Sequence, residues 1–370
     1  LRFILIVLAV LLLFSFQQDQ NQEHHSDSFF DKLQSGITEI KKTIDFDKIK
    51  EDIDQVVIDV TEKIEGNKVK ENQTVNPDKI ILEVPNKQTF SVANIEIGTA
   101  KQQVENKYGK AQRISLNEYN TNWYTYHEDY HNFFLVAYNK KDKVVGLFTN
   151  QNLVSSTNEV RIGSPKKEVL EKMGTPLSYI QKGFIRYKLP DDREYDLFYK
   201  DKNYITIFYD KHENNTVSAI QIISETLENE KTEIYANAST ELMEGLELQL
   251  FDLTNAERVK HGLSTLSWDQ HVQITARNHS DDMAKNAYFS HTNLDGQDPF
   301  QRMKEDNISF ILAGENLAYG QFSSIFAHEG LLNSSGHRKN ILEQDYEYLG
   351  IGVAFNDKAE PFYTQNFYAK

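Results

Sequence analysis

One internal repeat restricts the possible folds of this chain more than any other feature. Ile97-Gly98-Thr99-Ala100-Lys101 precedes Val104 and Tyr108-Gly109; Ile162-Gly163-Ser164-Pro165-Lys166 precedes Val169 and Met173-Gly174. Gly98 to Gly163 and Gly109 to Gly174 span the same offset of 65 positions. Two independent glycine pairs at one offset read as a duplicated structural unit. Each unit opens with a turn whose Thr99 or Ser164 is placed to cap a short helix ending at a glycine. Runs of strand-forming residues follow, at 123–126, 133–138 and 144–149 in the first unit and at 195–199, 204–209 and 217–223 in the second. Residues 90–224 are therefore expected to fold as a helix plus antiparallel meander, built twice.

The first 16 residues are apolar apart from Arg2 and Ser15, and polar Gln17-Gln18-Asp19-Gln20 follows abruptly. The run of about 14 residues is short of the roughly 20 that a membrane-spanning helix needs, and has the length of a signal-peptide core. Export is expected, with residues 1–16 serving as a signal peptide or membrane anchor. Over residues 17–89 a helical stalk and linker are expected. Leu33, Ile37, Ile40 and Ile44, then Ile49, Ile53, Val56, Val60 and Ile64, step by three and four. Such a seam suits pairing of helices or self-association.

Composition removes several functions. The 370 residues exceed what one ordinary core supports, so two or three domains are expected. The formal net charge of −15 argues against nucleic acid as a partner and against simple electrostatic docking on an anionic envelope. No cysteine is present, which excludes disulfides, a thiol nucleophile and thiolate-bound zinc.

After an acidic stretch at 225–239, expected to be a linker, Leu242, Leu246, Leu250 and Leu253 mark the buried stripe of a long helix. A second helix is expected over about 269–285, and closing strands at 349–355 and 362–368. Gly350 and Gly352 lie inside a strand pattern with no third glycine, so close backbone packing explains them better than a dinucleotide loop.

Three polar segments in this region each offer one side chain suited to a shared site: His291, Glu315 and His337. Two imidazoles and a carboxylate can bind a divalent metal or work as acid and base. Spacing alone does not separate that reading from loop histidines and a capping glutamate. The surrounding motifs go further. Gly314-Glu315-Asn316-Leu317-Ala318, then Asn333-Ser334-Ser335-Gly336-His337-Arg338-Lys339-Asn340-Ile341-Leu342, then Leu349-Gly350-Ile351-Gly352-Val353-Ala354 resemble, in this order, the CAP superfamily of cysteine-rich secretory, antigen 5 and pathogenesis-related proteins.

The resemblance covers residues 240–370. It implies an α+β chain whose C-terminal part is a three-layer α-β-α sandwich, with a cleft lined by two histidines and two acids. Carried over, it implies His291, Glu315 and His337 as cleft residues; a divalent metal such as zinc is the one cofactor their side chains suggest, held by His291, His337 and Glu315. Many members have Trp-x-Ser-Glu before the last histidine, where this chain has Leu331, Leu332, Asn333 and Ser334. The second acid thus falls on Ser334, and Glu329 is the candidate substitute. Residues 90–224 resemble the CAP-associated N-terminal domain of bacterial members.

Two other motifs compete. His127-Glu128-Asp129-Tyr130-His131 matches the zinc-protease signature H-E-x-x-H, which works only on a helix. Its flanks are strand formers, so a hairpin tip is the expected structure. Ser335 beside His337 lacks the nucleophile elbow of a serine hydrolase. Three function classes remain. The favoured one is a secreted or surface-anchored binding module for a lipid, glycan or peptide. The others are a metal-dependent hydrolase centred on His291, Glu315 and His337, and an interaction protein with a vestigial site.

Overall fold

The computed structural model of the chain describes residues 79–370. The expected leader at 1–16 and the stalk pattern at 29–64 lie outside the described residues. Residues 79–89 carry no helix and are tied to the following lobe. The Glu83 amide donates to Asn94 Oδ1 at 2.8 Å, and the Thr89 amide to Asp201 Oδ2 at 2.6 Å.

The first lobe runs in chain order through β1 (Phe90–Val92), α1 (Lys101–Tyr108), β2 (Arg113–Leu116), β3 (Asn122–Glu128), β4 (His131–Tyr138), β5 (Val144–Thr149) and β6 (Val154–Ser156). It continues with α2 (Lys166–Met173), β7 (Tyr179–Lys182), β8 (Ile185–Lys188), β9 (Tyr195–Lys200), β10 (Asn203–Asp210), β11 (Thr216–Ser224) and α3 (Glu225–Glu230). One antiparallel sheet has the order β2-β3-β4-β5-β11-β10-β9. Its two meanders, β3-β4-β5 and β9-β10-β11, meet where β5 pairs with β11, Leu147 opposite Ile222.

The same backbone bonds frame α1 and α2. The Gly98 amide donates to the Val144 carbonyl at 2.8 Å, and the Gly163 amide to the Val217 carbonyl at 2.9 Å. Both helices end at a glycine with positive φ, Gly109 at 76° and Gly174 at 84°, a conformation that costs glycine little. Contrary to the expectation from sequence, the hydroxyls of Thr99 and Ser164 do not cap these helices. They close the preceding turns, Thr99 Oγ1 accepting from the Glu96 amide and Ser164 Oγ from the Arg161 amide. Ala100 and Pro165 are the N-caps. The offset of 65 grows to 73 between Val144 and Val217. The extra residues fall where β7 and β8 form a hairpin.

Alternation along β4 shows how this sheet is buried. Phe134, Val136 and Tyr138 pack with Val104 of α1 and Val169 of α2, whereas Phe133, Leu135 and Ala137 face Leu253 and Ala256 of the second lobe. Burial on both faces accounts for the near-continuous apolar runs in these strands. The H-E-x-x-H residues lie on the β3–β4 hairpin. Its turn, Asp129 and Tyr130, has positive φ at both positions, as two-residue hairpin turns require. No helix brings His127 and His131 onto one face. The 225–239 stretch is not a bare linker either, since α3 buries Leu227 and pairs its Glu228 with Lys182.

The second lobe comprises α4 (Thr240–Lys260), β12 (Ser267–Trp268), α5 (Gln270–Asn286), α6 (Pro299–Glu305), β13 (Leu312–Tyr319), α7 (Ser324–Asn333), α8 (Ser335–Ile341), β14 (Tyr348–Phe355) and β15 (Pro361–Ala369). Ser239 caps α4 by accepting from the Leu242 amide, and Asp269 caps α5 through the His271 and Val272 amides. The sheet order is β12-β14-β15-β13. On β14, Leu349, Ile351 and Val353 pack with Leu242, Leu246 and Leu250 of α4. Each such leucine contributes roughly 1.5–3 kcal/mol on burial. Gly350 and Gly352 turn the other way, where a Cβ would fall on the backbone of α5 at Val272, Gln273 and Arg277.

Helix α4 belongs to both lobes. Leu253 leaves the stripe of Leu242, Leu246 and Leu250 and packs against the first lobe's sheet. Gly245 lies against the Leu116 backbone, with no room for a side chain. The polar side of the helix is buried and paired across the interface. Arg113 Nε donates to Asp252 Oδ2 at 2.9 Å, Tyr130 Oη to Asp252 Oδ1 at 3.0 Å, and Gln249 Nε2 to the Leu116 carbonyl at 2.8 Å. Burial pushes the Asp252 carboxyl up to about 6, against the pull of Arg113.

Candidate functional site

Three elements carry the predicted residues to the edge strand β13 of the second sheet. The loop between α5 and α6 carries His291, strand β13 carries Glu315 and helix α8 carries His337. His291 Nδ1 donates to Glu315 Oε1 at 2.8 Å. The His291 side chain is half exposed, while that of Glu315 is buried. His337 stands close enough to His291 to feel its charge. Burial first, and that neighbouring imidazole second, lower the His337 pKa from the ordinary value.

Sequence reasoning missed the residue that completes this arrangement. Arg302 of α6 donates through Nη2 to Glu315 Oε2 at 2.6 Å, and through Nη1 to the His291 carbonyl at 2.7 Å. Its guanidinium fixes both the carboxylate and the loop that presents the imidazole. Helix α6 is set by Asp298, whose carboxylate accepts from the Gln301 amide while Gln301 Oε1 accepts from the Asp298 amide. His279 lies behind the site, donating through Nε2 to the Ser290 carbonyl at 2.9 Å. Burial lowers its pKa as well.

The motif neighbours hold the backbone. Asn340 Nδ2 donates to the Glu315 carbonyl at 3.1 Å and to Asn316 Oδ1 at 2.9 Å. Asn316 Nδ2 in turn donates to the His337 carbonyl at 3.1 Å and to Gln365 Oε1. Gly314 leaves room for the Tyr346 hydroxyl and the Asn340 side chain. These motif residues form one network that links β13, α8 and β15.

Glu329 does not join the cluster as the fourth residue. It sits on the buried side of α7, where Oε2 accepts from Ser218 Oγ of β11 at 2.8 Å. Burial, reinforced by the charge of Glu257, pushes its carboxyl up to about 8. Ser334, at the position of the missing acid, is the N-cap of α8.

The comparisons fit this geometry. Residues 97–234 match the sequence model described as CAP-associated N-terminal, and residues 251–367 match that of the cysteine-rich secretory protein family, CAP. The Bacillus subtilis membrane protein YlbC is 31% identical over 290 residues, covering 73% of this chain and 82% of that protein. The chain belongs to the CAP family. A second B. subtilis relative, YkwD, is 37% identical to the CAP region over 141 residues, 38% of this chain and 53% of that protein. An extracellular SCP-domain protein from Bacillus anthracis superposes with a TM-score of 0.64 at 27% identity, over 82% of this chain and all of that one. A cysteine-rich secretory protein from Staphylococcus aureus shares the fold, with a TM-score of 0.61 at 15% identity over 77% of this chain and 95% of that one. Among the described residues no helix is long and apolar enough to cross a membrane.

The expected zinc ligands of this CAP protein can be tested against their surroundings. Both Glu315 oxygens accept a hydrogen bond, one from His291 and one from Arg302. The guanidinium already supplies the positive charge that a metal would bring. Among the described residues no group of three or more His, Asp or Glu side chains is arranged to hold a metal ion. A metal held by His291, His337 and Glu315 together would have to share the Glu315 carboxylate with Arg302.

Proposed function

We propose that this CAP-family protein is an exported binding module whose His291–His337 cleft takes a small polar ligand directly, without a metal bound to Glu315. The observation that carries this reading is the Arg302–Glu315–His291 chain of hydrogen bonds. It leaves Glu315 as a buried support and His291 and His337 as the groups that meet solvent. A neutral imidazole offers one donor and one acceptor, which suits hydroxyl, amide or phosphate groups. Phe289 and Leu294 flank His291 in the chain and are 50% and 65% exposed, so a ligand with an apolar part would find contact there. A lipid headgroup, a glycan or a peptide meets these requirements.

A metal-dependent hydrolase would first have to free Glu315 from Arg302, at the cost of leaving a buried guanidinium unpaired. Export is supported by the extracellular B. anthracis relative and by the membrane label of YlbC, and the apolar residues 1–16 fit either route. The two glycine-framed helices and their meanders are read as one duplicated unit that presents the CAP lobe.

The test follows the imidazole signals of His291 and His337 by NMR as phosphocholine, N-acetylglucosamine or a tripeptide is added, and separately as zinc is added at neutral pH. Shifts with one of the organic probes and none with equimolar zinc are expected. Stoichiometric shifts with zinc alone would contradict the proposal.

A further inference from the structure

A second cleft opens between the lobes, away from the histidines. It has a volume of about 390 Å³, within the roughly 300–1,000 Å³ typical of small-molecule sites. One wall comes from the segment before β9, the first residue of β9 and β10: Asp192, Glu194, Tyr195 and Phe208. The other comes from the turn before α7 and from α7 itself: Phe322, Phe326, Glu329 and Gly330. Four aromatic rings form its apolar part. Phe326 lies 5.1 Å from Tyr195, 5.0 Å from Phe208 and 4.4 Å from Phe322, centroid to centroid.

The charge of the walls is one-sided. Asp192, Glu194 and Glu329 are acids, Glu329 holding its proton until about pH 8 because it is buried, and Arg193 is the one base in the lining. Arg193 is committed elsewhere. Its Nη1 donates to the Pro190 carbonyl at 2.8 Å, its Nη2 donates to the Leu177 carbonyl at 3.0 Å, and Asp196 lies 3.8 Å away. Lys211 offsets Glu194 in part, at 3.4 Å. Glu329 is 3% exposed, and its Oε1 has no hydrogen-bond partner within the protein. Phe322 already holds a cation against one side of its ring, with Lys231 Nζ 4.5 Å from the centroid.

Gly330 adds an independent observation. A glycine inside a helix weakens it relative to alanine. A Cβ at Gly330 would meet nothing within 4 Å, so no packing among the described residues requires a glycine there. A ligand lying against α7 would require it.

We propose that this inter-lobe cleft binds an organic ammonium, a positively charged nitrogen carried on an apolar or aromatic body. The rings stabilise the cation through their faces and bury the apolar body. The wall acids complement its charge, and an anion of the same shape would meet them unfavourably.

The test uses the full chain with phenethylammonium as probe and phenylacetate as its anionic counterpart, measured by calorimetry at pH 9, where Glu329 is ionised and the ammonium still carries its proton. Phenethylammonium is expected to bind at least about tenfold more tightly than phenylacetate. Glu329→Gln should weaken phenethylammonium by about tenfold. Gly330→Leu should abolish the binding without lowering the melting temperature, because leucine favours the helix while filling the cleft. A purely structural glycine would give the opposite pattern, with lower stability and unchanged affinity. Equal binding of both probes, no binding of phenethylammonium to the wild-type chain, or undiminished affinity in Gly330→Leu would overturn the proposal.

Discussion

Arg302 Nη2 lies 2.6 Å from Glu315 Oε2, with the guanidinium side chain 8% exposed and the carboxylate 1%. The proposed function rests on this buried pair. It orients His291 through the other carboxylate oxygen, and a metal would have to compete with the guanidinium for Glu315. Breaking such a pair by removing one partner leaves a buried charge uncompensated. Arg302→Ala should therefore cost about 3–5 kcal/mol of stability in denaturant unfolding. A loss below ~1 kcal/mol would mean that water reaches Glu315 and that the pair is not the support described.

The lobes are held together by polar groups of α4 as well as by apolar contact. Arg113 is one-third exposed while Asp252 is buried. Arg113→Ala leaves that carboxylate with the Tyr130 hydroxyl, and should cost ~1–3 kcal/mol. In Asp252→Asn the burial penalty on the charge disappears, so the same arginine substitution should cost less there. A double-mutant cycle measures the difference, and additivity within ~0.5 kcal/mol would contradict direct coupling.

Two neighbours on α7 give stability a pH dependence of opposite sign. Burial lowers the His328 imidazole to about 4, below its unfolded value of 6.5. The unfolded chain then binds more protons between these values, so stability falls as pH drops from 6.5 through 4. The Glu329 carboxyl is raised to about 8, above its unfolded 4.5. Here the native state binds the extra proton, so stability falls as pH rises from 4.5 and levels off above 8. Glu329→Gln should flatten the alkaline decline, and His328→Phe the acidic one. Unfolding midpoints measured from pH 4 to 9 check both; parallel curves for wild type and variants would contradict the assignment.

Gly350 and Gly352 set the distance between α5 and the second sheet. Alanine at either position should destabilise by about 1–3 kcal/mol or more, because the added methyl falls on helix backbone rather than on a movable side chain. The check is the denaturation midpoint, and an unchanged midpoint would show that α5 can retreat freely.

Much of this architecture was within reach of the sequence because local signals agreed with the final packing. The glycines at 98, 109, 163 and 174 mark turns with positive φ, and such positions exclude most other residues. Gly350 and Gly352 sit in a strand pattern whose other residues are large, which points to a close backbone contact. Tertiary pairing was out of reach. Leu253 continues the leucine spacing of α4 yet packs on the other lobe, because the helix is buried on more than one side. Glu329 reads as a helix acid near the cleft, but the direction of its side chain is set by Ser218, more than a hundred positions earlier. Arg302 carries no motif. An arginine in a short helix looks like a solvated charge until the fold places it beside Glu315.

The central claim is that Arg302 stands where a metal's charge would otherwise be needed. Zinc titration calorimetry on the wild-type chain and on Arg302→Gln, side by side at neutral pH, tests it most directly. The wild-type chain is predicted to take up no zinc at micromolar concentrations. Arg302→Gln, with one Glu315 oxygen released, is predicted to gain binding that His337→Ala abolishes. Stoichiometric zinc uptake by the wild-type chain, lost on His337→Ala, would contradict the account and restore Glu315 as a metal ligand.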